Sequence, residues 1–349
     1  MNRDLVFAYP GDIETRTGGY GYDRRVIASL AERGWNIELV SLGEGFPSPD
    51  NAELDDAGRL LSDKCRDGSL VLVDGLAFGV MNQWAEREAN RLKIVALVHH
   101  PLALETGLSE VKQQEYLSRE RTALAHSRGV IVTSHATAAE LATNYQVPFE
   151  RIAVATPGVD PAPLAVGGGN PPLILSIGTL THRKGHDVLI CALEEIRGLP
   201  WICRIVGSKT LDPAIAAALE QQVAQSGLGD RVVFAGQLDD VRAELAKADI
   251  FALASRYEGY GMVFAEALAQ GLPIVGCAAG AVPDVVPESA GFLVPPDDPD
   301  AFAAALRRLL QEPDTRIAMA DDAAAIAGAG LPSWKDTATV ISDFLEAVP

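Results

Sequence analysis

Two glutamates, Glu258 and Glu266, bracket a glycine-bearing loop in the segment Ser255 to Val275, SRYEGYGMVFAEALAQGLPIV. An apolar run, Ile250–Leu253, precedes it and reads as a strand, so Glu258 falls in the loop and helical spacing begins near Tyr260. Gly259 and Gly261 let backbone approach a ligand closely. Bare N–H groups at a helix start, at the positive end of its dipole, favour a phosphate or another anion. Glu266 lies about 9 Å along the axis from that start at 1.5 Å per residue. Carboxylates so far apart cannot share one substrate atom. They can hold hydroxyls at opposite ends of an elongated ligand, such as the sugar and the ribose of a nucleotide sugar. Spacing alone is equally consistent with two solvated or helix-starting acids.

Other residues have types suited to the same chemistry. Arg183 and Lys184 sit side by side in SIGTLTHRKG, Ser176 to Gly185, either as a solvated basic turn or as cations for a phosphate. His99 and His100 end the apolar run Ile94–Val98, where a histidine can donate a hydrogen bond or move a proton near neutral pH. Ser134 follows the run Gly129–Thr133 and also suits a helix N-cap. Two patterns are discounted. Asp298-Pro-Asp300 has the D-x-D spacing of metal-dependent sugar transfer, but it follows a strand and opens a helix, which predicts capping. Gly19-Tyr20-Gly21 begins a dinucleotide fingerprint whose third glycine is replaced by Arg24, which argues against NAD.

These residues need strand ends and helix starts to position them. Short β-rich runs at Leu5–Tyr9, Asn36–Ser41, Leu70–Asp74, Ile94–Val98 and Gly129–Thr133 alternate with helical stretches, the pattern of β-α-β units. The alternation pauses over Thr156 to Pro172, rich in proline and glycine, and restarts at Leu173–Gly178. A chain of 349 residues therefore divides into residues 1–160 with a returning helix at 333–349, a linker at 161–172, and a second domain at 173–332. The expected fold is α/β, two Rossmann-like doubly wound domains, with ligands beyond the carboxyl ends of the strands.

Composition excludes several classes. The net charge of −18 opposes nucleic acid and anionic membrane surfaces. The charge splits unevenly: 16 basic and 22 acidic residues through residue 158 (net −6), 13 and 25 beyond it (net −12). No stretch is long and apolar enough to span a membrane, and the opening MNRDLVFAYPG is no secretory signal. Cys65, Cys191, Cys203 and Cys277 have neither disulfide nor zinc spacing and are expected as buried thiols in a reducing cytoplasm.

The segment from Ser255 resembles the E-x7-E motif of the retaining glycosyltransferases of family 4, with Glu258 and Glu266 as its glutamates. The likeness continues through GLPIV at Gly271, GAVPDVV at Gly280 and GFLVPPDDP at Gly291, in family order. SIGTLTHRKG resembles the family's phosphate loop, and Gly18-Gly19-Tyr20-Gly21 its N-terminal glycine turn. The resemblance implies a GT-B fold, two such domains facing a central cleft with the donor held mainly by the second. It implies that Glu266 binds ribose hydroxyls, that Glu258 holds donor-sugar hydroxyls near the anomeric carbon, and that the amides of Tyr260, Gly261 and Met262 meet the sugar or distal phosphate. Lys184 takes the place of the family's diphosphate lysine. Gly178 and Thr179 lie in the phosphate loop, and where relatives carry arginine this chain has Thr179, so Arg183 is expected to compensate. Gly19 would press its backbone near the diphosphate. His99, rather than His100, is favoured to face the reaction centre, with Ser134 near the donor and Pro101–Thr106 touching acceptor. Base recognition is expected around Gly236 and Leu238.

The function implied is metal-independent, retaining transfer of a hexose from a UDP- or GDP-linked donor to a hydroxyl of a glycan or glycoconjugate. No cofactor is expected, and the acidic first domain suggests a soluble acceptor. The rivals are a nucleotide-sugar epimerase of the same fold and a non-catalytic nucleotide-sugar-binding subunit. An NAD-dependent oxidoreductase is a distant third.

Overall fold

Runs of valine, leucine and isoleucine without polar alternation can be strands only if both faces of the sheet are covered. The computed structural model, which describes residues 3–349, meets that condition twice. The first sheet contains β1 (Asp4–Tyr9), β2 (Asn36–Ser41), β3 (Leu70–Asp74), β4 (Lys93–Val98), β5 (Gly129–Val132) and β6 (Ile152–Val154), in the order β2-β1-β3-β4-β5-β6. The second contains β7 (Leu173–Ile177), β8 (Ile202–Val206), β9 (Val232–Gly236), β10 (Ile250–Leu253), β11 (Ile274–Cys277) and β12 (Gly291–Val294), in the order β12-β11-β10-β7-β8-β9. Every pairing in both sheets is parallel.

The chain separates into two compact units, one running to Gly158 and completed by Pro332–Pro349, the other Val159–Leu331. The first buries Val71, Val73, Ile94, Ala96 and Leu124 against its helices, and the closing helix Trp334–Ala347 lies along the helix Gly18–Glu32. In the second, helices cover both faces, with separate apolar clusters around Leu189 and Phe302 on one side and Phe251 and Phe264 on the other. The segment expected as a linker, 161–172, carries no helix or strand. It is fastened to the second unit: Ala165 N–H donates to Gln270 O at 2.7 Å, and Asp249 accepts from the amides of Gly169 and Leu173 at 3.0 and 2.7 Å.

Chain order places a reversal in each sheet. From β7 the chain winds outward through β8 and β9, then returns to lay β10 on the other side of β7. The first sheet turns back in the same way between β1 and β3. At such reversals the loops leaving neighbouring strands diverge to opposite faces and leave a crevice at the carboxyl edge.

Several elements lack a strong apolar signal. The helix Asn51–Lys64 buries little beyond Ala57, Gly58 and Leu61, and is set instead by a capping box between Asp50 and Glu53. The short helices Gly75–Phe78, Asn82–Glu88 and Val282–Val285 and the strand β6 were equally inconspicuous. The expected set of four buried thiols needs correction: Cys191 is exposed on the outer face of its helix, while Cys65, Cys203 and Cys277 are buried. Among the described residues no helix is long and apolar enough to cross a membrane.

Candidate active site

In the second unit the reversal brings the ends of β7 and β10 together. Beyond β7 the chain passes Gly178 and Thr179 and makes a short turn, His182–Lys184, ended by Gly185 at φ +63°. Beyond β10 it passes Ser255 and Glu258 and enters the helix Met262–Ala269 through Gly261 at φ +91°. The two loops join at Glu258. Lys184 Nζ donates to Glu258 Oε1 at 2.6 Å, Ser255 Oγ donates to the same oxygen at 2.6 Å, and Arg183 approaches Oε2 at 3.4 Å while donating to Tyr257 O at 3.1 Å.

Burial alone would raise the Glu258 carboxyl, but Lys184 and Arg183 outweigh it and hold the pKa down to about 2. Glu258 is therefore a fixed anion. Two cations against one carboxylate leave this cluster a net positive charge inside a chain of −18. The helix Met262–Ala269 has no side-chain cap on its first amides, so its positive end stays available to an anion. Backbones crowd around it: a Cβ on Gly280 would stand 2.1 Å from Glu258 O, and one on Gly207 would stand 1.8 Å from Gly178 O.

Supporting residues went unnoticed in the sequence. His186, buried behind the phosphate-type loop, lies 3.2 Å from Gly178 O and 3.5 Å from Ser176 Oγ, and burial pushes it down to about 4, so it stays neutral. Arg256 grips Asp187 with both terminal nitrogens at 2.9 and 2.7 Å and Asp297 at 2.7 Å, and its N–H donates to Arg183 O at 2.8 Å. This fastens the cationic turn to the Glu258 loop. The acids Asp187 and Asp297 gave no local signal because they lie 69 and 41 residues away in sequence.

Glu266 projects from the same helix near Arg242, Asp160 and Asp240. Burial first, then the two aspartates, push it up to about 7 against the pull of Arg242. Gly236 ends β9 at φ +71° and accepts from Gly207 N–H at 2.9 Å. Leu238 packs against the apolar cluster around Phe251. Asp298 caps the amide of Ala301 at 2.9 Å, the structural use expected for that D-x-D pattern.

In the first unit a separate group gathers at the β1/β3 reversal. Gly19 opens the helix Gly18–Glu32, and a Cβ there would meet the His99 ring at 3.4 Å. His99 Nε2 lies 3.0 Å from Asp23 Oδ1 and 3.4 Å from Asp74 Oδ2, both acids being buried. Burial would lower the imidazole, yet Asp23 and Asp74 reverse that and raise it well above its usual value. His100 instead faces Glu105 at 3.3 Å. Ser134 Oγ accepts from Thr137 N–H at 3.0 Å as the N-cap of the helix His135–Asn144. The loop after the histidines is held by Glu120, which accepts from Leu102 N–H at 3.0 Å.

Two family models match the chain. One described as glycosyl transferases group 1 matches residues 171–312, and one described as Glycosyltransferase Family 4 matches residues 69–163. The chain is a family 4-like glycosyltransferase. Its relatives include a D-inositol 3-phosphate glycosyltransferase of Xylanimonas cellulosilytica, 34% identical over 64% of this chain and 58% of that protein. Another is the lipopolysaccharide core mannosyltransferase LpsB of Rhizobium meliloti, 28% identical over 60% and 63%. The alignment thus spans about three fifths of each of these two relatives. Among solved structures, sucrose-phosphate synthase of Thermosynechococcus elongatus superposes with a TM-score of 0.82 at 21% identity, over 98% of both chains. HepE of Anabaena, solved with UDP and glucose, gives 0.75 at 19% identity over 99% of each. These likenesses establish the family's GT-B fold class for the chain.

Proposed function

We propose that this family 4-like glycosyltransferase transfers a hexose from a UDP- or GDP-linked donor to a hydroxyl of a glycan or glycoconjugate, retaining anomeric configuration and without a metal. The observation that carries the reading is the junction of β7 and β10, where Lys184, Arg183 and an uncapped helix start surround one buried carboxylate. In this reading the helix-start amides of Gly261 and Met262 hold the distal phosphate, while Lys184 and Arg183 neutralise charge on the departing diphosphate. That charge grows as the glycosidic bond breaks, so fixed cations stabilise the transition state more than the ground state. They fill the part a metal ion plays in other sugar transferases. Glu258, ionised throughout, orients sugar hydroxyls; tied to Lys184 and Ser255, it is poorly placed to form a covalent intermediate. Retention would then follow front-face attack on an oxocarbenium-like centre.

Incubation with UDP-, GDP- and ADP-sugars tests the reading by thermal shift. A donor at a hundred times its Kd should add about 2.7 kcal/mol of stability. A melting point unmoved by all of them would defeat the proposal. Donor-only incubation that yields a new nucleotide sugar would point instead to an epimerase.

Glu266 supplies a pH prediction. Its assigned work, accepting from ribose hydroxyls, requires the carboxylate. With a pKa near 7, ionisation falls from nearly complete at pH 8 to about a tenth at pH 6, so donor Kd is expected to rise about tenfold over that interval. Calorimetric titration at the two pH values measures this. Glu266→Gln should bind weakly and lose the pH dependence, and a wild-type Kd that stays flat would remove Glu266 from the ribose.

A further inference from the structure

The sequence left His99 with two possible roles, proton carrier near neutral pH or hydrogen-bond donor, and the buried surroundings of its ring distinguish them. Nε2 faces carboxylate oxygens only, Asp23 Oδ1 at 3.0 Å and Asp74 Oδ2 at 3.4 Å. A carboxylate accepts and does not donate, so Nε2 carries the proton. The acids come from different elements: Asp23 from the buried face of the helix Gly18–Glu32, Asp74 from the end of β3. Asp74 is itself fixed, accepting from Leu76 N–H at 2.8 Å. Asp23 Oδ2 is buried with no donor, and burial, with Asp74 beside it, pushes Asp23 up to about 6 while His99 pulls it down. The ring cannot swing away. Tyr22 packs edge-on against it at 5.3 Å between centroids and is anchored by its hydroxyl to Ala155 O at 2.8 Å. Gly19 covers the Cδ2 edge.

The remaining nitrogen, Nδ1, makes no hydrogen bond among the described residues, and the side chain keeps 16% of its surface exposed. We propose that Asp23 and Asp74 are positioning residues that keep His99 an imidazolium, so that it serves the transfer reaction as a fixed N–H donor to a sugar oxygen through Nδ1 and never as a general base. Two buried anions on one side of a ring favour the doubly protonated form, as an opposite charge within hydrogen-bond distance does for any base. Among the described residues the phenol of Tyr22 packs on the ring and that of Tyr20 lies near the two acids, both raised above their usual value and so neutral. A group locked in this way has no proton vacancy to fill at neutral pH. It supplies a fixed N–H donor, already oriented for a sugar oxygen when the donor binds.

The idea rests on the glycosyltransferase reading for its use, but its first test needs no turnover. Two-dimensional nitrogen NMR of histidine-labelled protein should show both ring nitrogens of His99 protonated from pH 6 to 8.5. Asp23→Asn should bring the midpoint of titration down into that range. A neutral ring in the wild type at pH 7 would overturn the proposal, even if the variant does not fold. So would broadening of the same signals by Mn²⁺, because an ion would then occupy the place of the ring proton. A second arm uses the reaction. Wild-type kcat should stay level from pH 6.5 to 8.5, whereas Asp23→Asn should acquire a fall on the alkaline side, with donor Kd nearly unchanged. An identical profile in the two proteins would exclude the role. If no sugar donor binds at all, the glycosyltransferase reading fails while the NMR result still decides the charge state of His99.

Discussion

Lys184→Ala is expected to reduce kcat/KM by about a hundred- to a thousandfold and to destabilise the second unit by about 3 kcal/mol. The two losses have different origins. The kinetic one follows, in the proposed reaction, from removing a fixed cation beside the leaving diphosphate, where single donors aimed at developing charge are worth about 3 to 4 kcal/mol. The stability loss arises at Glu258, which is buried and bonded to Lys184 Nζ at 2.6 Å. Removing one partner of a buried pair leaves the other charge uncompensated, at a cost of about 3 to 5 kcal/mol, and Arg183 at 3.4 Å softens this. The pH dependence separates the two. A carboxyl depressed to about 2 contributes stability that is fully present above its unfolded value and is lost as pH falls towards 2. Wild type should therefore lose stability steeply between about pH 5 and 2. Lys184→Ala should start lower and change less, and in Lys184→Ala/Glu258→Gln most of the neutral-pH loss should be recovered without activity. Urea titrations at pH 7 and 4 check this; a single mutant as stable as wild type would mean that the pair does not hold the loops together. Arg183→Ala, at the more distant oxygen, is expected to lose at least tenfold in kcat/KM.

Gly185→Ala should be comparably severe for a purely geometric reason. Gly185 has φ +63° and closes the turn that carries Arg183 and Lys184, and a Cβ there would stand 1.9 Å from Ala254 O. The obstacle is backbone at the end of β10 and cannot rotate away, so the turn must shift off the Glu258 loop. A loss of at least about 3 kcal/mol is expected, combining left-handed strain with the clash, together with loss of detectable donor binding. Gly198→Ala is the control. A Cβ there meets nothing within 4 Å and its φ is ordinary, so its effect should stay within about 0.5 kcal/mol. Thermal melts of the two variants test the contrast, and a Gly185→Ala protein that melts like wild type would show that the turn is not clamped there.

Much of this was legible in the residues. The β-α-β alternation comes from apolar runs too short for helices, and strands β1, β2, β3 and β10 lie within a residue of their expected limits. The helix Met262–Ala269 was marked by glycine at its start and apolar spacing along it. Elements whose burial is slight, such as the helix Asn51–Lys64, were missed because their hydrophobic signal is weak and a local capping box sets them.

The amino-acid order thus settles which side chains stand in loops after strands, since that depends on neighbours a few residues apart. It placed Lys184, Arg183, Glu258 and His99 after strands, Gly19 in a glycine turn and Glu266 on a helix, without any contact being known. Which of them touch depends on strand neighbours that are distant in sequence. Only the return of β10 to the flank of β7 joins Lys184 to Glu258 across 74 residues. Only the placement of β4 beside β3, with the helix Gly18–Glu32 packed close by, turns His99 rather than His100 onto Asp23 and Asp74. Adjacent histidines on a strand end face opposite ways, and nothing local says which way the buried acids lie. The charges of these residues were likewise fixed in three dimensions. Burial and partners, not residue type, make Glu258 a permanent anion and hold Glu266 near its titration point.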